Sequence, residues 1–206
     1  MASPLSPIGG MYPQGLAAMS QNFSICVYCG SRDGTDPAYA AAAEALGAAI
    51  AAEGWRLVYG AGDIGLMGRV ARTAQTGGGE TFGVIPVHLF DREVGKRDLT
   101  TFIVTETMHE RKKVMFMNAD AIVVLPGGAG SLDEFFEVLT WAQLGLHQKP
   151  ILLLDIAGYW EPLNALMRHV VDQGFAEPSL LSFVQTVPGL DALMARLRAA
   201  RSAQTA

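Results

Sequence analysis

Residues 107–150, TMHERKKVMFMNADAIVVLPGGAGSLDEFFEVLTWAQLGLHQKP, read as helix, buried strand, glycine-rich turn and helix in succession. Ala121 to Leu125 (AIVVL) is an unbroken apolar run, the pattern of a parallel strand covered on both faces. Pro126 ends it, and Gly127, Gly128 and Gly130 let the backbone turn tightly with N–H groups exposed. Ser131 is expected to cap the next helix, on which Phe135, Val138, Leu139 and Ala142 fall at core-facing spacing. A strand that feeds a glycine turn into a helix N-terminus suits an anion, because unpaired N–H groups and the helix dipole both favour negative charge. Phosphate is the expected guest.

Charged groups flank this turn. Arg111 and Lys112 lie on the preceding helix, and Glu134 lies one turn into the following one. Together with the glycines they suggest a phosphorylated substrate whose chemistry happens close to its phosphate. Each has a plainer reading. The glycines could form only a tight turn, and Ser131-x-x-Glu134 spells a capping box. Arg111 and Lys112, with Glu110 and Lys113, could form a solvated face. Met108, Met115 and Phe116 make one stripe of that helix apolar, however, so not all four charges can be free. Arg111 is the one expected to face the site, since a guanidinium clamps a carboxylate or phosphate at two points.

Outward from this segment, strands and helices alternate. Strands are expected at residues 24–29, 55–59, 81–85, 102–105, 151–155 and 183–187. Helices are expected from Asp36-Pro37 to Gly54, after GAGDIGLMG to about Thr76, from Trp160 to Gln173, and from Leu190. Residues 88–101 are expected to form a loop over the site. This alternation implies one α/β domain, a doubly wound parallel sheet flanked by helices with ligands at the strand C-termini. Residues 23–200 form that domain, between a disordered tail at 1–22, which carries no charge, and a short tail at 201–206.

Several function classes drop out. A net charge of −5 without Lys/Arg clusters argues against nucleic acid. No apolar run approaches the roughly 20 residues that span a bilayer, and no secretory signal is legible, so a cytoplasmic protein is expected. Cys26 and Cys29 form a CxxC within a strand, where residues three apart point to opposite faces; they are read as buried small hydrophobes. His88, His109, His147 and His169 have no metal spacing, and no metal is expected. No context singles out Lys96, Lys112, Lys113 or Lys149 as a pyridoxal phosphate lysine, so no cofactor is expected. Gly60-Ala61-Gly62-Asp63-Ile64-Gly65 matches a dinucleotide fingerprint, with Glu80 at a plausible distance. That acid should sit at the end of the next strand, and Glu80 precedes it, so NAD binding is disfavoured.

MHERK followed by PGGAGSLDE resembles the paired signature of the LOG ("Lonely guy") family, usually written PGG-x-G-T-x-x-E, and the likeness extends from about Ser24 to Val187. These are cytokinin riboside 5'-monophosphate phosphoribohydrolases, long labelled lysine decarboxylases. This chain has Ser131 for the usual Thr, Ala61 in a turn usually YGGG, and Arg32 where a second Ser is common. The resemblance implies a Rossmann-like fold, a homodimer, and hydrolysis of the N-glycosidic bond of a purine riboside 5'-monophosphate. By the same correspondence Glu134 would stabilise the sugar cation and activate water, while Arg111 would orient Glu134 and the ribose. Gly127, Gly128, Ala129, Gly130 and Ser131 would anchor the phosphate. Glu93, Lys112, Thr140, Gly30 and Ser31 would be further substrate contacts. The competing class is a non-catalytic carrier of a nucleotide or molybdenum cofactor on a similar fold. The presence of both Arg111 and Glu134 favours the enzyme.

Overall fold

The structure, a computed structural model, describes residues 22–90 and 98–205. Most of the N-terminal tail therefore lies outside the described residues. Strands β1 (Ser24–Tyr28), β2 (Arg56–Tyr59), β3 (Glu80–Pro86), β4 (Thr101–Thr105), β5 (Ala121–Val124), β6 (Ile151–Leu154) and β7 (Val184–Val187) form one sheet. Its order is β4-β3-β2-β1-β5-β6-β7, and every neighbouring pair is parallel. The chain winds outward from β1 to β4, then returns to place β5 on the other side of β1. Their register pairs Ile25 with Ala121 and Tyr28 with Val124. The winding reverses between β1 and β5, and the crevice beyond the carboxyl ends of such strands is where open α/β sheets bind ligands.

Apolar runs in the central strands reflect burial on both faces. Ile25, Val27, Val123 and Leu152 join one core beneath α1 (Pro37–Ala52), α2 (Gly65–Thr76) and α7 (Leu190–Thr205). Cys26, Tyr28, Ile122, Val124 and Leu153 join a second core beneath α4 (Met108–Met117), α5 (Ala129–Gln143) and α6 (Glu161–Asp172). Cys26 and Cys29 are buried in different cores, as the strand period requires. Helices α1 and α2 approach closely at Gly47, where any Cβ would strike the Val70 carbonyl and the Thr73 hydroxyl.

Helix starts follow sequence signals in two cases and depart from them in one. Asp36 caps α1 by accepting from the Ala38 amide, ahead of Pro37. Thr107 and Glu110 form a reciprocal capping box at α4. Ser131, expected to cap α5, does not. The cap is Gly128, which is extended, and its carbonyl accepts the first intrahelical bond, from the Leu132 amide at 3.1 Å. Ser131 is thus already inside the helix, and the Ser131–Glu134 capping box does not form.

Two further expectations change. Residues 201–205, assigned to a tail, continue α7 as far as Thr205. The expected loop at 88–101 overlaps a short helix, α3 (Val87–Phe90), and ends where β4 begins at Thr101. Among the described residues no helix is long and apolar enough to cross a membrane.

Candidate active site

The carboxyl ends of β1 and β5 are stitched together. The Leu125 amide donates to the Tyr28 carbonyl at 2.9 Å, and the Gly30 amide to the Pro126 carbonyl at 3.0 Å. Beyond them opens a cavity of about 500 Å³, lined from one side by Cys29 to Gly34 and from the other by Pro126 to Ser131 and Glu134. Helix α5 starts at this opening without a side-chain cap, so its first amides are available to an anion. Gly127 is required by close packing: a Cβ there would meet the Ser131 side chain and the Gly30 amide. Gly30, Ser31, Gly127, Gly128, Ala129, Gly130 and Ser131, all expected to bind substrate, line the one cavity.

Arg111 and Glu134 line the same cavity, from α4 and α5. Arg111 is only 4% exposed and Glu134 only 8%. The Arg111 guanidinium donates through Nε to the Val84 carbonyl at 3.1 Å and through Nη2 to the Gly60 carbonyl at 2.8 Å. Its plane is therefore fixed by the chain near the ends of β3 and β2. Glu134 makes its charge felt on the strand below. Burial pushes the Cys26 thiol above its ordinary range, and the Glu134 carboxylate adds to the shift. Tyr28 is raised by burial, with Cys26 and Glu134 contributing. Neither of these two groups lines the cavity, whereas Glu134 lines it as a buried acid.

Other expected site residues lie elsewhere. Lys112 does not line the cavity; its Nζ pairs with Asp133 at 3.0 Å and Glu137 at 3.2 Å, tying α4 to α5. Thr140 is exposed, also outside the cavity lining, and its hydroxyl donates to the Phe136 carbonyl at 2.7 Å. Glu93 and Lys96 lie outside the described residues. Lys149 donates to the Phe116 carbonyl at 2.7 Å and sits 4.0 Å from the centre of that ring, a half-buried packing role. Among the described residues no group of three or more His, Cys, Asp or Glu could hold a metal ion.

The fingerprint-like turn after β2 seats Arg111. A Cβ at Gly60 would collide with the guanidinium, and Gly65, at φ +57°, presses against the Ser31–Arg32 backbone. Ala61 is fully buried in the left-handed region at φ 57°, a conformation that favours glycine. Glu80 opens β3, at the opposite end of the strands from the cavity.

Tyr159, unremarked in the sequence, also lines the cavity, and its hydroxyl donates to the Gly127 carbonyl at 2.6 Å. The signal that could have found it is topological: the turn after β6 lies beside the turn after β5.

A family model described as "Possible lysine decarboxylase" matches residues 67–197. The cytokinin riboside 5'-monophosphate phosphoribohydrolase LOG7 of Arabidopsis thaliana is 41% identical over 173 residues, covering 84% of this chain and 80% of the relative. A probable enzyme of the same name, LOG4 of Oryza sativa subsp. japonica, is 45% identical over 154 residues, covering 75% and 67%. Among solved structures, a Moco carrier protein from Chlamydomonas reinhardtii superposes with a TM-score of 0.68 at 22% identity, covering 88% of this chain and 98% of that one. A molybdenum cofactor binding protein from Rippkaea orientalis gives 0.64 at 22% identity, covering 86% and 96%. At that identity these two share the fold. The two plant relatives and the matched signature around Arg111 and Glu134 agree, and the chain belongs to the LOG family of cytokinin riboside 5'-monophosphate phosphoribohydrolases.

Proposed function

We propose that this protein hydrolyses the N-glycosidic bond of purine riboside 5'-monophosphates, AMP or its cytokinin-type N6-substituted relatives, releasing free base and ribose 5-phosphate. One observation carries the reading: an uncapped helix start, a buried carboxylate and a buried guanidinium share a single cavity. Departure of the base builds positive charge on the ribose, and a carboxylate held out of bulk water stabilises it strongly. Glu134 takes that role and accepts a proton from the attacking water; that proton then passes to the base nitrogen that took the bond's electron pair, so the base leaves neutral and the carboxylate is restored. Arg111, fixed by Val84 and Gly60, holds the ribose and Glu134 in register. The glycine turn grips the phosphate, so binding energy from a non-reacting group is spent on positioning the anomeric carbon.

A cytoplasmic homodimer is proposed with this activity. Met117, Leu144 and Leu146 leave apolar surface exposed at the ends of α4 and α5, the helices that also carry Arg111 and Glu134.

Incubation with AMP and with isopentenyladenosine monophosphate, followed by chromatography for free base, tests the reaction. Base release from either is the expected result. Tight AMP binding without release would convert the protein to a carrier, and binding of NADH but not AMP would restore the dinucleotide-binding reading of the turn after β2.

A further inference from the structure

The β1–α1 loop is tied to α2 by a two-point ion pair. Arg69 on α2 donates through Nε and Nη2 to both carboxylate oxygens of Asp33, at 2.7 and 3.0 Å, and through Nη1 to Glu44 on α1 at 2.6 Å. The hydrogen bonds from Arg69 hold the Asp33 carboxyl below its usual range, and the two carboxylates raise Arg69 in turn. From beneath, the close approach of Gly65 fixes the backbone at Ser31 and Arg32. From the side, the Gly30 amide bonds to Pro126, so that a Cβ on Gly30 would lie 3.4 Å from the Gly127 Cα.

These contacts place Arg32 in a set position next to the glycine turn. Its backbone packs against Gly65 between the bonded neighbours Gly30 and Asp33, its side chain is exposed, and it lines the same cavity as Gly127 to Ser131. The acid next to it, Asp33, has both oxygens engaged by Arg69 and does not cancel its charge. A guanidinium matches a phosphate in two-point fashion, and a serine at this position, the commoner family residue, supplies one neutral hydroxyl.

We infer that Arg32 is a phosphate-recognition residue, with Arg69 its positioning residue, adding to the main-chain grip of the glycine turn a two-point side-chain contact that a serine at this position lacks. The inference rests on the phosphoribohydrolase reading. Main-chain amides hold the inner phosphate oxygens, and the Arg32 guanidinium meets the oxygens nearer the cavity mouth.

The test is steady-state hydrolysis of AMP and adenosine by the wild-type chain and by the Arg32→Ser, Arg32→Lys, Arg69→Met and Arg32→Ser/Arg69→Met variants. No base release from AMP by the wild type would defeat the proposed function itself, before any variant is compared. Given wild-type activity, Arg32→Ser should raise KM for AMP about tenfold with kcat within about twofold, and should weaken the salt dependence of kcat/KM. Arg32→Lys should recover part of the loss, and adenosine turnover should be unaffected. Arg69→Met should raise KM in the same direction and add nothing in the Arg32→Ser background. An unchanged KM for AMP in Arg32→Ser, or a change in relative rates among purine bases at constant phosphate dependence, overturns the assignment of Arg32. A full additional effect of Arg69→Met in the double variant overturns the positioning role. Unchanged melting temperatures separate these results from misfolding.

Discussion

The Tyr159 hydroxyl donates a 2.6 Å hydrogen bond to the Gly127 carbonyl. Across a trans peptide the carbonyl and the next N–H point in opposite directions, so pinning this oxygen also sets the Gly128 amide. Tyr159 is itself held. Its ring packs edge-on against Tyr39 at 5.5 Å and Trp160 at 4.8 Å, and the Trp160 amide donates to Asp155 at 2.9 Å. Tyr159→Phe keeps the ring and removes the pin. KM for AMP should rise about five- to tenfold, with a stability loss no larger than about 1.5 kcal/mol. Kinetics alongside thermal melts checks it, and an unchanged KM would mean that the turn holds its shape unaided.

Glu134→Gln preserves size and removes the charge. Turnover of AMP should fall by roughly 10²–10⁴ while AMP binding, measured by calorimetry, persists. A variant that hydrolyses AMP at near wild-type rate would remove Glu134 from the chemistry.

Arg111 can be disturbed directly or through its seat. Arg111→Lys loses the two-point contact with the Val84 and Gly60 carbonyls and should be severely impaired. Gly60→Ala should resemble it, because the added methyl occupies space that the guanidinium fills. Similar losses in kcat/KM for the two variants are the expected result; normal kcat/KM in Gly60→Ala would show that the arginine works from another position.

Lys112 bears on stability and pH. Its side chain is 6% exposed and lies between Asp133 and Glu137. Burial is the strongest single influence and pulls the ammonium pKa down, but hydrogen bonds and attraction from the two carboxylates outweigh it, leaving the pKa above its ordinary 10.5. A base raised in this way stabilises the fold fully below its ordinary value and loses that contribution as pH climbs past it. Lys112→Met should cost about 1–2 kcal/mol, discounted because Asp133 is half exposed. In denaturant titrations the gap from wild type should stay flat through neutral pH and close in strong alkali. A gap that widens there would reverse the sign.

The central strands were legible because parallel strands covered on both faces must be continuously apolar, and Ile25–Val27 and Ala121–Val124 are. The glycine turn was legible for a related reason: a strand end, a proline and glycines leave the chain few alternatives. The start of α5 was not. Whether Gly128 or Ser131 caps it depends on whether Ala129, Gly130 and Ser131 already take helical torsions, which a pair of glycines and an alanine leave open. Lys112 and Thr140 follow the helical period onto faces away from the cavity, and only the packing of α4 on α5 decides which face that is. Tyr159 was invisible because its role depends on the order of strands in space, not in sequence.

Helix α5 begins with its first amides unclaimed by any side chain. Those donors cannot tell an arriving phosphomonoester from a departing one, and ribose 5-phosphate retains the group they hold. On the proposed reaction, product inhibition by the sugar phosphate, and competition from inorganic phosphate in a buffer, are the expected consequences of the way the chain passes from β5 into α5.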